Sequence, residues 1–164
     1  MALGRLIGRT HKSNGPSIVL NIKKDCQMKD LERFVLAQER EYGTALKELE
    51  DGQKKSHWIW YIFPQLETLG YSERAKFYGL ADLEEARAYM DHPMLGPRYL
   101  KCVSALMRHE DSPIEETMSG KVDARKLRSS LTLMQAAGGG FEVHKAINVF
   151  FDGETCTETL SELV

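Results

Sequence analysis

From Asp30 onward the apolar residues Leu31, Phe34, Val35, Tyr42, Ala45, Leu46 and Leu49 recur at three- and four-residue spacing until Asp51-Gly52 interrupts them. That period predicts an amphipathic helix with Asp30 as its N-cap and Gly52 as its stop. Ser56 is placed to cap a short apolar segment from His57 to Phe63, which Pro64 must end or kink. Its aromatic content is equally compatible with a strand. Ser72 reads as the cap of a helical turn reaching Tyr78, and Asp82 with Glu85 three residues later opens a helix over Leu83 to Met90. His92-Pro93 stops it. A longer helix from Met94 to His109 carries Leu95, Tyr99, Cys102, Val103, Leu106 and Met107 on one face, with Pro97 in its first turn.

Ser112-Pro113-Ile114-Glu115 has the pattern of cap, Pro at N1 and Glu at N3 for a short helix closed by Gly120. Asp123 to Ala137 is the next helix, ended by Gly138-Gly139-Gly140. Phe141 to Asp152 follows, with Val143, Ile147, Phe150 and Phe151 as its apolar face, and Thr157 to Leu163 adds a last turn. No segment sustains a two-residue alternation and no internal repeat appears. The pattern therefore predicts an all-α, mainly helical fold: a single compact multi-helix domain over residues 30–164, with only minor strand pairing left open.

Residues 1–29 break the pattern. They hold Gly4, Gly8, Gly15 and Pro16, one short apolar run at Ile18-Val19-Leu20, and six Lys or Arg against one acid. They read as a flexible, disordered basic extension outside the domain. Arg5, Arg9 and Lys12 interleaved with Leu3, Leu6 and Ile7 resemble a mitochondrial transit segment, but the glycines weaken a helix there. The simpler reading is an extension preceding an internal start at Met28.

The formal charge of −2 over 164 residues conceals this asymmetry, because residues 30–164 carry sixteen basic against twenty-three acidic side chains. An acidic body without a basic stripe argues against nucleic acid as a partner, since duplex binding requires phosphates to be neutralised. Cys26, Cys102 and Cys156 are odd in number and widely spaced, which points to a reducing, cytoplasmic compartment rather than a disulfide framework. No apolar run approaches membrane-span length, so no membrane partner is expected. The sequence fixes no oligomeric state.

Candidate chemistry concentrates in Lys54-Lys55-Ser56-His57-Trp58-Ile59-Trp60, which joins both tryptophans to an imidazole and a basic pair. Farther on, Lys126 is followed at three and four residues by Ser129 and Ser130, so a helix would set that ammonium and those hydroxyls on one face. Ammonium groups supply charge, hydroxyls supply directional donors, and Trp58 or Trp60 offers a plane for a flat group. Arg98 adds a two-pronged donor for phosphate or carboxylate. Plainer roles exist for each residue. Tryptophans usually pack in cores, a lone histidine usually satisfies a carbonyl, and helical serines often bond back to carbonyls.

His57, His92, His109 and His144 lack metal-ligand spacing, and the triple glycine follows a helix rather than a strand. No metal or cofactor is therefore expected. Glu84, Glu85 and Asp123 are carboxylates with commoner roles as caps or surface charges.

From residue 30 to the C-terminus the chain resembles the family catalogued as domain of unknown function 1810. The resemblance rests on Phe34 with Ala37-Gln38, Glu48-Leu49 and Gly52, Lys55 through Trp60, and Phe63-Pro64-Gln65. It continues through Glu85-Ala86-Arg87-Ala88-Tyr89, His92-Pro93, Leu95 to Arg98, Lys126 to Ser130, Thr132-Leu133 and Phe150-Phe151 with Gly153. The resemblance implies a mainly helical domain and no established reaction. Two positions depart from the family: Thr155-Cys156-Thr157 stands where an Asp is usual, and Met134 where Phe is usual. Some members carry the label calpastatin, but inhibitory segments of that kind are disordered and repetitive, unlike this chain.

Residue chemistry thus points to an anionic small molecule, nucleotide- or ADP-ribose-like, held by Lys55, Lys126, Ser129, Ser130 and Arg98 with Trp58 or Trp60 on its flat part. In an enzyme, His57 would transfer the proton in hydrolysis of a nucleoside- or ADP-ribose-type bond. The alternative is a non-catalytic interaction module in which the aromatic segment forms a peptide groove or a homodimer seam.

Overall fold

The computed structural model describes residues 31–164, so the Asp30 cap and the basic extension lie outside the described residues. Helix α1 (Glu32–Glu50) buries Phe34, Val35, Ala45 and Leu49 as its spacing predicts. Helices α2 (Ile59–Ile62), α3 (Glu73–Phe77), α4 (Leu83–Asp91) and α5 (Leu95–Met107) follow, with a 3-10 turn at Glu67–Leu69 between α2 and α3. Helices α6 (Ile114–Thr117), α7 (Lys121–Ala136), α8 (Phe141–Phe151) and α9 (Thr157–Glu162) complete an all-α fold. Among the described residues, strand pairing is limited to one parallel bridge, Leu66 with Leu80.

Local signals explain most boundaries. The Ser72 side chain accepts from Ala75 N–H, and Asp82 accepts from Glu85 N–H at 2.8 Å, each capping its helix as the sequence predicts. The Glu85 carboxylate returns to Ala81 N–H and also pairs with Arg33 at 3.0 Å. Nδ1 of His92 accepts from the N–H groups of Met94 and Leu95, so the residue that follows α4 also caps α5. Two expected caps do not form. Ser112 leaves the cap position of α6 to Pro113, and Ser56 gives its hydroxyl to Glu48 instead of α2.

The central helices are α5, which packs on α1, α4 and α8, and α7, which meets α2, α4, α6, α8 and α9. An edge-to-face relay of rings runs through the core: Phe34 to Tyr89 at 5.1 Å, Tyr89 to Tyr99 at 6.2 Å, and Tyr99 to Phe63 at 5.5 Å. Each such pair contributes ~0.5–1.5 kcal/mol beyond its buried area. Polar atoms inside the relay are satisfied. The Gln38 amide donates to the Tyr61 carbonyl at 2.7 Å and to the Tyr89 hydroxyl at 3.0 Å.

The α4–α5 corner is closed by Gly96, where an added Cβ would stand 2.0 Å from the Met90 carbonyl oxygen. Backbone cannot yield that much without separating the two helices. Gly96→Ala should therefore destabilise the fold by about 2–3 kcal/mol, an overpacking cost, read as a lower urea midpoint with unchanged slope. A midpoint equal to wild type would contradict this packing.

Candidate functional site

The segment between α1 and α2 is held by a buried carboxylate. Gly52, at φ +75°, ends α1, and Gln53 N–H returns to the Glu48 carbonyl. The Glu48 side chain then accepts from Lys55 N–H at 2.8 Å, Ser56 N–H at 3.0 Å, the Ser56 hydroxyl at 2.6 Å and the Trp58 indole N–H at 2.8 Å. Burial alone would raise its pKa. The donors from Ser56, Lys55 and Trp58 outweigh that and hold it at about 2.

This arrangement turns the two lysines in opposite directions. Lys54 is buried, donating to the Ser56 carbonyl at 2.6 Å, pairing with Asp123 at 2.9 Å and lying over the Trp58 ring. Its backbone N–H bonds the Thr117 carbonyl at 2.8 Å, and the Ser119 hydroxyl donates to its carbonyl, tying the segment to the α6–α7 region. Lys55 is exposed.

Lys55, Ser56 and His57 form one wall of a surface cleft of about 580 Å³. Helix α1 adds Ala37, Arg40 and Glu41, α2 adds Tyr61, and α3 with the residue after it adds Arg74 and Tyr78. Burial pushes the Tyr61 hydroxyl up to about 12, so it stays a neutral hydrogen-bonding group at physiological pH. Among the described residues, Arg40, Lys55 and Arg74 make no ion pair within 4.0 Å, and Glu41 is the one carboxylate in the lining.

The remaining predicted site residues sit elsewhere. Trp58 is fully buried and cannot stack on a ligand. Ser129 and Ser130 are buried too, their hydroxyls taken up by Thr159 of α9 at 2.7 Å and Tyr99 of α5 at 3.0 Å, so they offer nothing to a ligand beside Lys126. Arg98 packs over Tyr42 and lies 3.5 Å from the Gln38 side-chain Oε1, away from the cleft lining. Trp60 is half-buried, with Arg74 at 5.0 Å and Lys126 at 5.3 Å from its ring centre. Lys126 also reaches Asp123 at 3.5 Å. The indole of Trp60 is thus already occupied by two cations, of which only Arg74 lines the cleft.

With Trp58, Ile59, Tyr61, Ile62 and Phe63 all buried, most of the aromatic segment is core, and Trp60 is its half-buried member. The carboxylates of Asp123 and Glu85 are engaged by Lys54, Lys126 and Arg33. Sequence reasoning missed Arg40, Glu41 and Arg74. The first two follow Ala37 at helical spacing and so share its stripe, a signal legible in the sequence, whereas Arg74 reaches the cleft only through the fold.

The family model described as protein of unknown function (DUF1810) matches residues 28–163. The chain belongs to this family. It is similar to the crystal structure of the conserved hypothetical protein Rv1873 from Mycobacterium tuberculosis, with 38% identity and a TM-score of 0.79. That match covers 82% of this chain and 96% of the other. No curated protein matches. At the position where the family usually has Phe, Met134 is fully buried, so the difference is a change of core side chain. Where the family usually has an acid, Cys156 N–H instead meets the Thr132 hydroxyl at 2.9 Å. Among the described residues no helix is long and apolar enough to cross a membrane.

Glu48→Gln keeps one oxygen for the three N–H donors but removes the charge they stabilise and turns an amide N–H toward the Ser56 hydroxyl. A loss of about 2–4 kcal/mol is expected at pH 7. Because the folded pKa of Glu48 lies near 2, below the ordinary 4.5, its contribution is full above pH 4.5 and fades as pH falls toward 2. The gap between wild type and Glu48→Gln in urea melts should therefore narrow below pH 4.5. A pH-independent gap would contradict a carboxylate held ionised.

Proposed function

We propose that the cleft between α1, the Lys55–His57 segment and α3 binds an anionic small molecule of the nucleotide or ADP-ribose kind through its phosphates. The observation that carries the reading is the convergence of Arg40, Lys55 and Arg74 on one 580 Å³ cleft without ion-pair partners among the described residues. Unpaired cations gathered beside one another repel, and a bound phosphate relieves that repulsion while accepting from guanidinium and ammonium donors. The cleft falls within the size range of small-ligand sites, and Tyr61 and Tyr78 supply its less polar wall.

Catalysis, as the finer part of this reading, would fall to His57. It is exposed, lines the cleft beside Lys55, and brings an imidazole, the side chain most often used to transfer protons in catalysis. Lys55 and Arg74 would then stabilise charge developing on the leaving phosphate side of a hydrolysed bond.

Thermal unfolding with millimolar pyrophosphate, ADP or ADP-ribose tests the binding reading. At least one should raise the melting temperature, since a ligand at 100 times its Kd adds about 2.7 kcal/mol. Lys55→Ala combined with Arg74→Ala should remove the shift while leaving the unliganded fold within about 1–2 kcal/mol of wild type. Absence of any shift across the panel sinks the proposal.

A further inference from the structure

The cleft does not end at Arg40. A second hollow of about 440 Å³ adjoins it along α1 and shares Ala37, Arg40 and Tyr78 as lining. From Glu32 to Glu41 this pair of hollows follows ten residues of α1, about 14 Å at 1.5 Å per residue. Its character changes along that length. The Lys55 end carries Lys55 and Arg74, Arg40 lines both hollows, and the other end presents Leu36 at 54% and Phe77 at 60% exposure.

We propose that this second hollow receives the flat ring of the same ligand whose phosphates occupy the cationic cleft, making the ligand a phosphate-bearing molecule with an attached base. This rests on the anion-binding reading above and adds to it a place and a direction. Phe77 and Tyr78 stand edge to face with ring centres 4.8 Å apart, forming an aromatic corner where the hollow meets the cleft. A base laid against Phe77 and Leu36 would cover apolar surface now in water. Tyr78 spans both hollows, and the rim carboxylates of Glu32 and Glu39 offer acceptors to amino groups on the base. Pyrophosphate alone fills the charged end and leaves the apolar end wet. A nucleoside diphosphate fills both.

Calorimetric titration of the full chain with ADP and with pyrophosphate separates the ideas. ADP should bind at least tenfold tighter than pyrophosphate, and Phe77→Ala should weaken ADP about five- to tenfold while leaving pyrophosphate unchanged, the effect of losing one stacking surface. Equal affinities for the two ligands, with Phe77→Ala without effect on either, overturn the base site but leave the anion cleft standing. Binding of neither ligand overturns both. Sedimentation that reveals a dimer dissolved by Phe77→Ala also overturns the base site, because a second copy would then cover it.

Discussion

The carboxylate of Glu48 is the interaction on which the site depends. It leaves the apolar stripe of α1, enters the interior, and gathers two backbone N–H groups, a hydroxyl and an indole N–H from the chain that follows. A buried charge is tolerated only when its lone pairs are filled, and here each hydrogen bond to the ionised group contributes ~1.5–3 kcal/mol. The same bonds fix the conformation of residues 55 to 58. That conformation sends Trp58 inward, its ring centre 6.1 Å from that of Phe63 at the end of the aromatic relay, and leaves Lys55 and His57 outside.

Lys54 supports the arrangement from the other side. Its ammonium crosses to Asp123 on α7, and its backbone bonds Thr117 and Ser119, so the segment is tied to α1 and to the α6–α7 region at once. The adjacent lysines thus divide between structure and surface. Arg40 and Arg74 complete the cationic wall from α1 and α3, two helices whose separation is set by Tyr78 packing on Phe34 and Tyr61.

Helix existence and order were legible in the sequence because three- and four-residue periodicity and side-chain caps are local signals. Asp82, Ser72 and Gly52 act as their types predict. Partners brought from far along the chain were not legible. Ser129 and Ser130 share the helix of Lys126, but Thr159 and Tyr99 claim their hydroxyls. Trp58 looked like a platform until Glu48, ten residues earlier, took its N–H. Yet Glu48 itself carried a clue, for it is an acid placed between Ala45 and Leu49 on the buried stripe of α1. The exposed cleft lining of Lys55 and His57, and its meeting with Arg74, depend on Glu48 and on α3 folding back toward α1.

The most direct measurement is a set of backbone amide spectra of the full chain recorded during titration with ADP. A preformed anion cleft held by Glu48 predicts saturable shifts concentrated at Lys55, Ser56, His57, Arg40 and Arg74, with the Trp58 indole signal unmoved because it stays bonded inside. Shifts that centre instead on α7 and α9, or no saturable shifts at millimolar ligand, would contradict the account.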